Sequence, residues 1–213
     1  MAMFDQTFVD GEGKTHKGWT VILSFAFQFL LTGILILIYF SQPTVVSLSI
    51  GLIPIVAGQL LRVWAAGHLV KNKRLTTTGP YAYVKNPLYV GAITIVMGFC
   101  IVGMPPWNLQ FTYRDPRLVL YFIFLAAFFL YYMPRKMKIE GDRLRAIYGD
   151  AYTRYEKSVP DMIPQLQPYR SGDDLRWTWA QTVANSEHGT IMSLGVGLAL
   201  MLLRTWLRVS GIL

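Results

Sequence analysis

Two polar segments carry the residues whose types and spacing suit chemistry. The first runs from Gly67 to Gly91 and holds Gly79-Pro80-Tyr81, Tyr83 and Lys85-Asn86-Pro87-Leu88-Tyr89. Gly79-Pro80 forces a turn, and Pro87 behind Asn86 suits the first turn of a helix. Such a helix start presents free N–H groups and a positive dipole end, which together hold a carboxylate. Tyr81, Tyr83 and Tyr89 add aromatic faces nearby. A plainer reading makes these tyrosines an interfacial belt and Lys85 a topology marker.

The second segment runs from Arg135 to Pro160. Leu144, Tyr148, Tyr152 and Tyr155 follow i, i+4, i+8, i+11 spacing and share one face if a helix continues through Gly149. Glu140 lies one turn from Leu144 on the same side. An aromatic face with one carboxylate suits an organic cation such as a sulfonium, through cation–π contact plus charge. An amphipathic helix lying on lipid headgroups fits the same Lys and Arg content equally well. Periodicity does not separate the two.

The elements that must position these residues are apolar. Of 213 residues 53% are hydrophobic and only 15% charged, against about 25% charged in an ordinary soluble domain. Long apolar runs without charge read as transmembrane helices. Five runs read this way. They are Trp19–Phe40; Thr44–Leu61, closed by Arg62, with its helix carried to about 66; Leu88–Met104; Leu118–Met133, ending at Pro134; and Thr190–Leu207, where Arg204 snorkels to the interface. The expected fold is all-α, a polytopic transmembrane bundle of about five spans. Residues 1–18 form a tail and 19–164 the core, in which a helix over 135–157 continues out of the membrane. Pro134 and Gly141 are places where it would bend. Residues 165–213 are an extension carrying the fifth span near 190–207.

The net charge of +8 has a positional explanation. With a cytoplasmic N-terminus, five spans put Lys14, Lys17 and the basic clusters at 71–85 and 135–157 on the cytoplasmic side. The Gln42–Pro43 corner, the 105–117 loop and the C-terminal tail fall opposite, as the positive-inside rule requires, with Arg114 and Arg117 counting mildly against it. The excess then means topology and attraction to anionic lipid headgroups, not nucleic acid. Cys100 is the one cysteine and His16, His68 and His188 are far apart, so neither a disulfide framework nor a metal site is expected. The polar first 18 residues argue against a cleaved signal peptide. Leu88–Met104 and Leu118–Met133 lack ionisable residues, which argues against a transporter or channel.

The order Leu61-Arg62-x-Trp64, Gly79-Pro80-Tyr81, Lys85-Asn86-Pro87-Leu88-Tyr89-x-Gly91, Glu140, Leu144, Tyr148-Gly149-x-x-Tyr152-x-x-Tyr155 and Val159-Pro160-x-x-Ile163-Pro164 resembles the isoprenylcysteine carboxyl methyltransferase and phospholipid methyltransferase superfamily. The resembling stretch, about Gly58 to Pro164, is roughly half of the chain. The resemblance implies S-adenosylmethionine in a pocket at the cytoplasmic membrane surface, with a lipophilic substrate arriving from the bilayer. Carried onto this chain, Tyr81, Lys85, Asn86, Pro87, Leu88 and Tyr89 hold the cofactor from one side and Glu140 from the other, with Tyr148, Tyr152 and Tyr155 near the site. Glu140 takes the cofactor's α-ammonium, and Lys85 or Arg143 meets its carboxylate. A carboxylate acceptor needs no deprotonation, whereas an amine acceptor needs a base, for which Glu140 is the local candidate.

Two departures bear on this. Asn86 stands where the family has a histidine, and Gly141 where many relatives have a second acidic residue. Asp142 points about 100° around a helix from that position. Two other readings of the same scaffold are an NADPH-dependent reductase resembling the membrane sterol reductases and a non-enzymatic membrane scaffold. The lean chain favours a prokaryotic inner membrane.

Overall fold

Without water to pair with, a backbone crossing lipid must satisfy its N–H and C=O groups internally, and a helix does so within one segment. The computed structural model describes residues 8–9, 15–16, 38–39, 41–70, 74–103, 119, 123, 126–170, 172 and 174–211. The expected span Trp19–Phe40, apart from residues 38 and 39, lies outside them. So do the 105–117 loop, residues 118, 120–122, 124 and 125 of Leu118–Met133, and Lys14, Lys17, Lys71 and Lys73. The chain forms two units, Met1–Leu37 with Thr112–Gly149, and Ile38–Phe111 with Asp150–Leu213.

In the first unit, Phe8–Val9 (β1) pairs antiparallel with Thr15–His16 (β2), a two-residue ladder in an otherwise helical structure. Ala127–Tyr132 is π-helical and leads into α3, Met133–Tyr148. Pro134 lacks the N–H that an α-helix would donate to Leu130, and its ring crowds that carbonyl. The backbone widens into π geometry just before it. Helix α3 then runs through Gly141 and stops at Tyr148, because Gly149 adopts φ +53°, a left-handed helix terminator.

The second unit holds α1 (Val45–His68), a 3₁₀ turn (Gly79–Ala82), α2 (Pro87–Gly103), α4 (Asp150–Ser158), α5 (Trp179–Ala184) and α6 (Glu187–Val209). Thr44 starts α1 with a capping box to Ser47. Helix α2 runs antiparallel to α1, since Gln42 N donates to Gly103 O at one end (3.3 Å) and Arg62 Nη1 to Leu88 O at the other (3.1 Å). Helix α6 is also antiparallel to α1. Its Glu187 meets Arg62, and its Arg204 donates to Ser41 O (3.3 Å) and lies 4.7 Å from the Tyr39 ring centroid.

Helices α1 and α2 touch through glycine. A Cβ on Gly58 would sit 2.5 Å from Gly91 O, and one on Gly98 would sit 2.7 Å from Gly51 O. Two glycines seven residues apart on each helix thus let the backbones meet, the small-residue packing that membrane helices use.

Helices α1 and α6 are long and apolar enough to cross a membrane, at 24 and 23 residues, while α2 is shorter at 17. Only 22% and 6% of their most apolar stretches are buried, so neither is the core helix of a water-soluble domain. Val46, Ile50, Ile53 and Leu60 on α1, and Met192, Val196 and Trp206 on α6, are exposed. Apolar faces of this extent mark a membrane protein.

Alanine at Gly58 or Gly98 drives a Cβ into backbone. Each lowers stability by about 1–3 kcal/mol, whereas Gly195→Ala, which meets nothing within 4 Å, leaves it unchanged or higher. Thermal melts of the three variants in one detergent check this.

Candidate functional site

The turn at Gly79 forms where only glycine fits. Its φ is +59°, and an added Cβ would lie 2.6 Å from the His68 ring. His68 itself is fixed at the end of α1, with Nδ1 3.0 Å from Trp64 O. The carbonyls that follow are held one after another by the chain after α4. The Tyr155 hydroxyl donates to Tyr81 O (2.7 Å), Tyr169 N and Gln165 Nε2 to Ala82 O (2.8 and 3.1 Å), and Gln165 N to Tyr83 O (2.9 Å). Lys85 continues the seam. Its N–H donates to Pro160 O (2.9 Å), and its Nζ lies 2.8 Å from Asp161 Oδ1 and donates to Glu156 O (3.3 Å). Asn86 Nδ2 donates to Asp161 O at 3.2 Å. The Gly-Pro-Tyr turn and the Val159-Pro160 region therefore form one braced structure.

Within this unit the structure brings together Tyr81, Lys85, Asn86, Pro87, Leu88, Tyr89 and Tyr152. Pro87 is buried at the start of α2, Leu88 and Tyr89 are half-buried in its first turn, and Tyr89 N and Val90 N donate to Asn86 O (3.0 Å each). Tyr152 and Tyr155 are buried, with ring centroids 6.2 Å apart, and Tyr155 meets the Tyr169 ring edge-on at 5.5 Å. Burial, reinforced by Tyr81, Tyr152 and Tyr169, pushes the Tyr155 phenol well above its usual value.

Glu140, Arg143 and Tyr148 belong to α3 in the first unit. Glu140 and Arg143 pair at 3.7 Å one turn apart, both part-exposed. Burial raises the Tyr148 phenol, with Arg143 acting against it. Because the helix ends at Tyr148, this tyrosine shares no continuous helical face with Tyr152 and Tyr155, which sit on α4.

The centre that sequence reasoning missed lies between α1, α2 and α6. Glu187 is buried, its side chain 4% exposed, and takes Arg62 in bidentate fashion: Nη2 to Oε1 at 2.7 Å and Nε to Oε2 at 3.2 Å. Gln59 Nε2 donates to Glu187 Oε2 (3.3 Å), and Arg62 Nη2 reaches Thr190 Oγ1 (3.4 Å). The only sequence signal was a lone carboxylate opening an apolar run. Two buried polar atoms have no partner among the described residues: Gln59 Oε1, on the amide whose nitrogen Glu187 holds, and the Tyr81 hydroxyl. Burial holds the Tyr81 phenol far above its ordinary value, with Arg62 lowering it and Glu187 raising it.

The C-terminal extension completes the frame. Trp177 Nε1 donates to Val63 O (3.1 Å), Thr178 N to Gly67 O (3.0 Å), and Asn185 Nδ2 to Ala66 O and Leu69 O (2.8 Å each). The bonds to Gly67 O and Leu69 O satisfy carbonyls at the end of α1 and just beyond it, and those to Val63 O and Ala66 O add a second donor to that end.

Among known proteins, the chain is similar to the protein-S-isoprenylcysteine O-methyltransferase of Schizosaccharomyces pombe. It is 33% identical to that protein over 104 residues, 46% of this chain and 39% of the relative. It is also 28% identical over 133 residues to the cobalt-zinc-cadmium resistance protein CzcN of Cupriavidus metallidurans, covering 62% of this chain and 54% of the relative. The chain thus spans about half or less of the length of these curated relatives. No family model matches it, and no solved structure matches.

Two outcomes test the site's energetics. Removing one partner of the Arg62–Glu187 pair strands a buried charge, so Glu187→Leu costs about 3–5 kcal/mol, and adding Arg62→Met recovers much of it; denaturation of single and double variants measures both. Tyr81 and Tyr155 have raised folded-state values, so their contribution is complete below the unfolded phenol's value of about 10 and is lost as pH rises through the folded values. Stability falls above about pH 10, and tyrosinate absorbance shows these two phenols ionising only with unfolding.

Proposed function

We propose that this chain is a membrane methyltransferase that uses S-adenosylmethionine and methylates a lipophilic acceptor at the cytoplasmic membrane surface. The observation that carries the reading is the 33% identity with a protein-S-isoprenylcysteine O-methyltransferase. The bracing of the Gly-Pro-Tyr turn and Lys85-Asn86 by the segment after α4 supports it, because a site that works by alignment needs a rigid frame.

The donor set suits the cofactor's amino-acid end. Lys85 Nζ is paired with Asp161, whose side chain is 61% exposed, so a ligand carboxylate can exchange with that partner. Asn86 Nδ2, which donates to Asp161 O, is a further donor beside it. When bound, S-adenosylmethionine supplies an electrophilic methyl group, which a nucleophilic atom of the acceptor displaces in line from sulfur. Lys85 would hold the carboxylate, and Tyr89 would offer an aromatic face to the sulfonium. The acceptor is an S-alkylated cysteine carboxylate, the chemistry in the name of the methyltransferase relative. Such a carboxylate has no proton to remove, so no base is required. Orientation alone supplies on the order of 7–11 kcal/mol.

Calorimetric titration of the detergent-purified protein tests this. S-adenosylmethionine binds saturably, and Lys85→Met and Tyr89→Ala each weaken it about tenfold or more. Binding of NADPH in place of S-adenosylmethionine would overturn the assignment, as would normal cofactor affinity in both variants.

A further inference from the structure

Lys85 and Asp161 form an ion pair of unequal partners. Nζ lies 2.8 Å from Oδ1, and the lysine side chain is 8% exposed while the aspartate's is 61%. Opening the pair returns the carboxylate to water at small cost but strands the ammonium in a buried place, which is costly. The position beside Lys85 therefore calls for an anion, but not for one anion in particular. The ammonium is held during an exchange, because it has more than one proton to give and Nζ also donates to Glu156 O (3.3 Å). Asp161 is equally suited to leave, since its main chain is fixed without its carboxylate. Asn86 Nδ2 donates to Asp161 O (3.2 Å), and Lys85 N–H donates to Pro160 O one residue earlier (2.9 Å). The side chain can thus quit Lys85 by a change of rotamer alone, with no movement of the loop.

We propose that the Asp161 carboxylate is a built-in competitor for the cofactor's carboxylate. It neutralises Lys85 in the cofactor-free protein, turns out to water when the amino-acid end of S-adenosylmethionine arrives, and returns when the spent cofactor leaves. Each state keeps one carboxylate on the ammonium, so Lys85 is not stranded at any stage. Affinity for the cofactor is held below what Lys85 alone would give. The inference rests on the methyltransferase reading and adds to it a residue that regulates the same site.

Asp161→Asn keeps the side chain's shape and both main-chain bonds while removing its charge; Asp161→Ser, at the same exposed position, is the second variant. Full-length protein in detergent is titrated by calorimetry with S-adenosylmethionine, S-adenosylhomocysteine and decarboxylated S-adenosylmethionine. Both variants lower the Kd of the first two about threefold or more, and leave that of the third, which has no carboxylate, unchanged. In a Lys85→Met background, Asp161→Asn changes none of the three. Without ligand, Asp161→Asn melts at or below the wild-type temperature, and saturating S-adenosylmethionine raises its Tm by more than it raises the wild type's. An aspartate that only props the loop predicts lower stability with equal or weaker cofactor binding, and that result overturns the proposal. Equal tightening of the decarboxylated compound also overturns it, because a general field effect would then account for the gain. Failure of all three compounds to bind wild type and variants alike overturns the methyltransferase reading and this inference with it. S-adenosylmethionine binding that the variants do not tighten overturns this inference alone.

Discussion

A guanidinium withdrawn from water costs several kcal/mol unless its N–H groups find acceptors and its charge a partner. Arg62 meets both conditions, and it does so with a different helix on each side. It stands on α1, donates to the first turn of α2 at Leu88 O, and is clasped by Glu187 at the start of α6. Glu187 in turn sits in the first turn of its helix, where the dipole favours a carboxylate. One side chain thus registers three helices at a single end of the unit. The same residue lies in the Leu-Arg-x-Trp motif, and its bond to Leu88 O ties the frame to the Lys85-Asn86-Pro87-Leu88-Tyr89 segment.

Away from that point the helices depend on shape. The two glycine pairs let α1 and α2 approach to backbone contact, where dispersion and close packing replace a hydrophobic effect that lipid does not provide. Helix α6 is attached differently. Its most apolar stretch is 6% buried, and polar anchors hold it near both ends, Glu187 on Arg62 and Arg204 on Ser41 O. The segment before it, with Trp177, Thr178 and Asn185, closes the end of α1. The extension beyond the resembling stretch is therefore part of the fold.

The apolar runs were the legible part. Leu88–Met104 became Pro87–Gly103, and Thr190–Leu207 became Glu187–Val209, because a long apolar run satisfies its backbone within one segment as a helix. The second apolar run closes at Arg62, with its helix expected to about residue 66, and α1 continues to His68. A charge ends a span only when it must reach water, and Glu187, 125 residues away in sequence, removes that need. Spacing along one segment does not report partners at such distance. The aromatic periodicity of the second segment had the same limit. It identified a face carrying Tyr152 and Tyr155 but not what covers it, and Gly149 in the left-handed region separated Tyr148 from them. Under the resemblance Lys85 or Arg143 met the cofactor's carboxylate; the ion pair of Lys85 with Asp161 depends on where the chain returns after α4.

The motif residues divide by what they satisfy. Tyr155, Gln165, Tyr169 and Asn86 spend their hydrogen bonds on main-chain carbonyls of the turn and of the strand of chain that braces it. They make the region stiff and leave its side chains little room to relax. In a frame that stiff, an unpartnered Tyr81 hydroxyl cannot turn away to find a substitute, and neither can a Gln59 oxygen whose amide nitrogen is fixed on Glu187. The rigidity that the motifs supply therefore comes from main-chain pairing: the carbonyls of the Gly-Pro-Tyr turn are satisfied by groups that return from the segment after α4, so its stiffness depends on that return and not on the turn's own sequence.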